Sequence, residues 1–290
     1  MPRHGEKSLA DASDVIPAAL RWEAVQEALD GRTIGRRIVY FASTGSTNDV
    51  ARRLAAAGEP EGTVVLADEQ TAGRGRAGKS RWLTPAGTSI AVSVVLRPHL
   101  TPQRLPLLSL MSGVAACEAI QSVARVNCSL KWPNDVMVKD RKLGGILVES
   151  ALVGSNVAFA VLGIGLNGNL LVNQLGRLPD AASVPTTLLA EAGIAVSRED
   201  VLIALLTALD RLYTTLPAGA SSLLARYRLR LQTLKQSVCI MERTDATPIE
   251  GIAEDITQEG ALIVRLPSGE RCAFAHGAVS VRTASPAEVA

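Results

Sequence analysis

Three glycines alternate with four cationic side chains in the nine residues Gly73-Arg74-Gly75-Arg76-Ala77-Gly78-Lys79-Ser80-Arg81. Such a loop suits anions: glycine lets backbone N–H groups approach phosphate oxygens closely, and arginine offers a fork of donors that matches a carboxylate or phosphate. A solvated basic loop is the plainer reading, and the regular Gly and Arg spacing argues against it. Residues 73–80 also spell the P-loop pattern G-x-x-x-x-G-K-S. That motif needs its lysine and serine to open a helix. Here Pro85 and Gly87 follow within a few residues and argue against a sustained helix, and so against the P-loop reading.

A second constellation, Lys131-Trp132-Pro133-Asn134-Asp135, lies between two short β-rich runs. Pro133 stiffens the connection, so Lys131 presents a compact positive charge at a fixed place. That suits an oxygen shared by a carboxylate and an α-phosphate. The alternative is a snorkelling lysine with its stem over Trp132, itself a core residue. Ser46-Thr47-Asn48 brings hydroxyl and amide groups to the start of a helical segment, where a helix cap and a ligand contact can coexist.

Short β-rich runs at 38–41, 63–67, 89–96, 129–132, 136–139, 145–149 and 157–164 alternate with helical segments, predicting a mixed sheet covered by helices. The clearest helices are 48–57, capped by Ser46 or Thr47 and stopped by Gly58, and 103–123. Helical patterning returns at 198–216 and 222–234. After residue 236, short strands with turns at Asp245, Gly260 and Ser268-Gly269 predict a small β-barrel. One helical segment, 15–29, stands near the start without partner helices, so residues 1–35 should hold no helix-turn-helix. The expected plan is a 1–36 extension with one helix, a 37–235 catalytic domain, a 236–283 barrel and a 284–290 tail.

The 290 residues are 47% apolar and 20% charged with a formal charge of +2, which fits one large core or two unequal units and leaves no broad electrostatic footprint for nucleic acid or membrane. Apolar stretches such as 90–96 read as too short to span a bilayer, and the polar start 1–7 lacks a signal-peptide core. The expected location is the cytoplasm. Cys117, Cys128, Cys239 and Cys272 form no Cys-x-x-Cys pair and have only three histidines to join them, predicting buried free thiols and no metal site.

Five ordered motifs resemble the biotin protein ligase family: Ser46-Thr47-Asn48, Gly73-Arg74-Gly75-Arg76, the stretch Lys131 to Asp135, the run Arg141-Lys142-Leu143-Gly144-Gly145-Ile146-Leu147-Val148-Glu149, and Gly163-Ile164-Gly165-Leu166-Asn167. With the β-rich end, the resemblance covers residues 37–283. It implies an α+β fold, with a mixed, largely antiparallel sheet packed with helices in a class II synthetase-like catalytic domain, plus a small C-terminal SH3-like β-barrel. The implied activity is ATP-dependent conversion of biotin to biotinyl-5'-AMP, then transfer to a lysine of a biotin carboxyl carrier protein of a carboxylase. Biotin and ATP are the implied substrates, and magnesium arrives with ATP. Homodimerisation is left open.

The resemblance also implies roles. Ser46, Thr47, Asn48 and Gln70 would contact biotin, since hydroxyl and amide groups suit a neutral ureido ring. Gly73, Arg74, Gly75 and Arg76 would close over the biotin carboxylate and the adenylate phosphate, with Lys131 touching both reacting groups. Lys131, Arg74 and Arg76 are thus the expected catalytic set, and Gly144 and Asn167 complete the substrate site, Asn167 near the nucleotide. Two positions depart from the pattern. The stretch between Arg76 and Trp82 is one residue longer than usual, so Lys79, Ser80 and Arg81 receive no role, and Gly168 stands where a small aliphatic side chain is more usual. Some members carry an N-terminal DNA-binding module, for which this chain is expected to have no room. A lipoate or octanoate ligase of the related fold is the nearest alternative, and the Gly-Arg-Gly-Arg loop argues against it. A P-loop NTPase and a non-catalytic biotin-binding protein are the others.

Overall fold

The computed structural model describes residues 19–75, 82, 84–175, 184–241, 248–275 and 280–283. A short helix α1 (Trp22–Ala28) buries Val25, shorter than the predicted 15–29 segment, whose first residues lie outside the described ones. The large sheet contains β1 (Arg37–Thr44), β2 (Thr63–Gln70), β3 (Ile90–Leu96), β4 (Ser129–Lys131), β5 (Asp135–Val138), β6 (Arg141–Val153), β7 (Asn156–Leu166) and β8 (Val184–Pro185). Its order is β1-β2-β3-β7-β6-β5-β4, with β8 on β6. β1 with β2 and β6 with β8 are parallel, and the other pairs are antiparallel. The expected mixed, largely antiparallel sheet is the one observed.

Period-two alternation sorts the strand residues between two faces. Ile90, Val92, Val94 and Leu96 of β3, with Ala160, Leu162, Ile164 and Leu166 of β7, join one core with α3 (Pro106–Ala124) and α5 (Arg198–Arg228). Val95, Phe159 and Val161 face the other way and pack with Val50, Ala51 and Ala55 of α2 (Thr47–Ala56). On this second face Ser93, Gly163 and Gly165 replace apolar bulk, and Asn48 and Trp82 come down against the sheet at the two glycines.

Two helical expectations change. Residues 198–228 form one helix with Pro217 inside it, where two were expected. Pro217 removes one backbone N–H, but Leu212, Leu216, Ala220, Leu223 and Leu224 continue a single buried stripe across it, and packing carries the helix through. The stretch Pro102–Ala124 and α5 are also long and apolar enough to cross a membrane by length and composition, contrary to the sequence reading. Both are core helices here, α3 being buried from Leu107 to Cys117.

A short helix α4 (Leu188–Ala192) precedes α5. After α5, β9 (Ser237–Met241), β10 (Ile249–Ile256), β11 (Leu262–Arg265), β12 (Arg271–Phe274) and β13 (Ser280–Thr283) form an antiparallel sheet in the order β12-β11-β10-β9-β13. The predicted turns at Gly260 and Gly269 are present, each with φ of 89°, the left-handed region glycine favours. The turn predicted at Asp245 lies outside the described residues. Gly260 packs on α3, where an added Cβ would lie 2.9 Å from Leu110. The small sheet's Val238, Ile240, Ala253, Ile256, Leu262 and Val264 extend the main core.

Candidate active site

Strand register brings the separated motifs onto one face of the large sheet. Ser93 pairs with Gly163, and Gly163 with Leu147. On the neighbouring rung, Ala91 pairs with Gly165, Gly165 with Gly145, Gly145 with Asp135, and Asp135 with Lys131. Directly paired residues in antiparallel strands share a face. Lys131 therefore stands two strands from Gly145, about 10 Å across the backbone, on the side where α2 lies.

The Ser-Thr-Asn segment is held down over this face. Ser46 takes an extended N-cap conformation without bonding its side chain to the helix. Gln70 Oε1 instead accepts from Thr47 N at 2.9 Å and from Thr47 Oγ1 at 3.0 Å. Ser93 Oγ, fully buried, donates to Asn48 Oδ1 at 2.6 Å and lies 2.8 Å from Thr47 Oγ1. Asn48 Nδ2 donates to Glu149 Oε2 at 2.7 Å. Glycine is required beneath it, because a Cβ at Gly163 would lie 2.1 Å from Asn48 Oδ1. Ser46, Thr47, Asn48 and Gln70 are thus gathered in one place, as expected, and all but Gln70 are buried.

The two stems of the basic loop meet beside this cluster. Gly73 O accepts from Trp82 N at 2.9 Å. Trp82 lies over Gly145 and Gly165, where an added Cβ would come within 3.6 Å and 2.3 Å of its ring. Its indole N–H is buried without a hydrogen-bond partner among the described residues. Gly75 follows at the edge of the described chain. Arg76, Lys79, Ser80 and Arg81 lie outside the described residues. Arg74 differs from expectation: its guanidinium donates to Asp49 Oδ2 at 2.6 Å and Oδ1 at 2.8 Å, and to Glu149 Oε1 at 3.0 Å. Two protein carboxylates occupy the fork expected to face a ligand. That hydrogen bond to Arg74 holds the Asp49 carboxyl below the usual carboxylate range, burial opposing it.

Lys131 is 6% exposed at the end of β4. Its connection onward is pinned: Trp132 N donates to Thr233 Oγ1 at 3.0 Å, Trp132 Nε1 to Gly260 O at 3.1 Å, and Asn134 Nδ2 to Ile146 O at 2.9 Å. The small C-terminal sheet thus reaches the catalytic candidate through the neighbouring indole. Lys142, paired with Met137, brings a second cation beside this rung, 2.6 Å from Asp135 and 6.0 Å from the centre of the Trp82 ring.

Gly144 and Asn167, also expected in the substrate site, pack closely within the fold. Gly144 turns its open side to the core, where a Cβ would meet Leu166 at 2.5 Å. Asn167 is buried, with Nδ2 donating to Thr186 O at 2.8 Å and its backbone tied to Leu143 and Leu188. Gly168, the departure from pattern, lets the Thr88 carbonyl approach, since a Cβ there would lie 2.2 Å from that oxygen. Sequence reasoning passed over Asp49 and Ser93 and gave Trp82, Lys142 and Glu149 no role. Ser93 carried a signal as the one polar residue in the run 90–96.

Residues 40–167 match the biotin/lipoate A/B protein ligase family, and residues 239–282 match the biotin protein ligase C-terminal domain. The chain is 34% identical to the biotin–[acetyl-CoA-carboxylase] ligase of Mycobacterium tuberculosis over 256 residues, 86% of this chain and 91% of that protein. This chain belongs to the biotin protein ligase family. Its fold is that of the biotin protein ligase from Aquifex aeolicus solved with biotin and ATP, with a TM-score of 0.71 and 24% identity over 86% of this chain and all of that one. The bifunctional ligase/repressor BirA of Bacillus subtilis is 33% identical over 198 residues, 68% of this chain. This biotin protein ligase family member spans 60% of that relative's length.

Proposed function

We propose that this chain joins biotin to ATP, forming biotinyl-5'-AMP and pyrophosphate, and then passes the biotinyl group to a lysine of a biotin carboxyl carrier domain. The observation that carries the reading is the shared sheet face. The amide and hydroxyl cluster of Thr47, Asn48 and Gln70 gathers over Ser93, and Lys131 stands on the neighbouring rung with Lys142 beside Asp135. Biotin's neutral ureido ring needs donors and an acceptor when buried, and the cluster offers both.

In the first step a biotin carboxylate oxygen attacks the α-phosphorus and pyrophosphate leaves. Both reactants are anions, and Lys131 supplies a preorganised positive charge between them, with Arg76 of the basic loop. Magnesium enters as part of the MgATP substrate, where it leans on phosphates. Among the described residues no group of three or more His, Cys, Asp or Glu converges. In the second step the carrier's neutral lysine amine attacks the acyl carbon, AMP leaves and the amine gives up a proton. The anhydride must be kept from water between the two steps. Cys117, Cys128 and Cys272 are free thiols, in keeping with a cytoplasmic setting.

The test is incubation with biotin, MgATP and a carrier domain, followed by intact-mass measurement of the carrier. One added biotinyl group on the carrier lysine is expected. Transfer of lipoate in preference to biotin would replace the reading with the lipoate ligase one.

A further inference from the structure

β4 stands last in the strand order of the large sheet, yet its outer edge is covered. The chain leaving α5 turns back and runs beside it. Leu130 N donates to Arg230 O at 2.8 Å, Gln232 N donates to Leu130 O at 3.0 Å, and Leu130 and Leu231 form a parallel bridge. Ser129 Oγ donates to Gln232 Oε1 at 2.5 Å. The next donor along this edge, Trp132 N, goes to a side chain, the Thr233 hydroxyl, at 3.0 Å. Thr233 is fully buried and Trp132 is 1% exposed, so losing that acceptor takes away a buried hydrogen bond. Alternate residues of a strand aim their backbone groups at the same edge. Leu130 and Trp132 therefore face the chain after α5, while Lys131 between them pairs with Asp135 of β5. The same chain continues into the small sheet, where Lys235 N donates to Ala253 O at 2.7 Å and Ala253 N to Gln236 O at 3.0 Å.

We propose that Thr233 is a positioning residue for adenylate formation: its hydroxyl fixes the peptide that follows Lys131, and through it the place of the Lys131 ammonium group between the two reacting anions. The inference rests on the adenylate-forming reading given above. It requires no contact between Thr233 and a substrate. Electrostatic catalysis by a preorganised charge depends steeply on where that charge sits, and an offset of about 1 Å can slow a reaction by about a hundredfold. Loss of one of the bonds that flank Lys131, with those at Leu130 kept, is expected to slow it by about tenfold.

The experiment measures single-turnover formation of biotinyl-5'-AMP from biotin and radiolabelled MgATP, with enzyme in excess over ATP. Thr233→Val keeps the side-chain shape and removes the acceptor, Thr233→Ala removes both, and Thr233→Ser keeps the acceptor. At saturating biotin, Val and Ala should each form adenylate about tenfold more slowly than wild type, while biotin Kd stays within about twofold, because uniform binding is untouched. Ser should recover the wild-type rate to within about twofold, since its hydroxyl still accepts. In the Lys131→Ala background, Thr233→Val should slow the residual rate by no more than about twofold, because the group it positions is gone. A part in overall stability alone would reduce the fraction of protein that binds biotin and leave the rate of the binding fraction unchanged. A wild-type rate in Thr233→Val, equal slowing in both backgrounds, or no recovery in Thr233→Ser overturns the proposal; where Lys131→Ala forms no measurable adenylate, the contrast of Val and Ala with Ser carries the test. No adenylate from the wild type removes the reading above as well, whereas equal rates in wild type and Thr233→Val remove only the role of Thr233.

Discussion

Gly163→Ala tests how firmly the site holds the Asn48 amide. The new methyl carbon would sit 2.1 Å from Asn48 Oδ1, 2.8 Å from Cγ and 3.1 Å from Nδ2, against an ordinary contact of 3.4 Å or more, so the amide must move by more than 1 Å. Asn48 cannot yield freely, being held by Ser93 at 2.6 Å and Glu149 at 2.7 Å. Overpacking of this kind costs about 1–3 kcal/mol, and each buried bond broken costs about 1 kcal/mol or more. Two to four kcal/mol in total would lower Tm by roughly 3–7 °C for a chain of this size. If Asn48 binds biotin, its displacement should weaken binding about 10- to 100-fold. Differential scanning calorimetry and biotin titration read the two effects. Asn48→Ala added to Gly163→Ala removes the clash, so the double variant should melt above Gly163→Ala while binding biotin no better. Normal affinity and Tm in Gly163→Ala would refute the argument, and no gain in Tm for the double variant would show that the clash is not the cause.

Lys131→Ala should slow pyrophosphate release by about a hundredfold or more, the loss of one preorganised electrostatic donor; near-normal release would remove Lys131 from the chemistry. Trp132→Phe deletes the bond to Gly260 O while keeping most of the ring, and should cost about 1 kcal/mol of stability in denaturant melts; an unchanged midpoint would mean that the small sheet is not fastened there. Burial, and then the hydrogen bond to Asp68, push the Tyr40 phenol up to about 12. A raised folded value means the stabilisation is whole below the free phenol value near 10 and is lost as pH climbs from there towards 12. Tyr40→Phe should flatten that alkaline decline in stability, and an identical decline in the variant would sink the assignment.

The strands, the helices and the five motifs are legible along the chain because their causes are local. Alternation and 3.6-residue spacing mark the faces, Gly58 stops a helix, and Lys131 before a proline reads as a fixed charge wherever the strand ends up. The continuity of α5 through Pro217 is not local, since it depends on the buried stripe it presents to the core. Nor are the partners of charged residues. Arg74 lies 25 positions from Asp49 and 75 from Glu149, and nothing near it in sequence chooses between a ligand anion and a protein carboxylate. The types of residue that could do this chemistry are set by sequence alone. Which of them meet is decided by the pairing of β6 with β7 and of β3 with β7, because side chains alternate faces and a one-residue slip would turn Glu149, Gly163 and Ser93 away from the site.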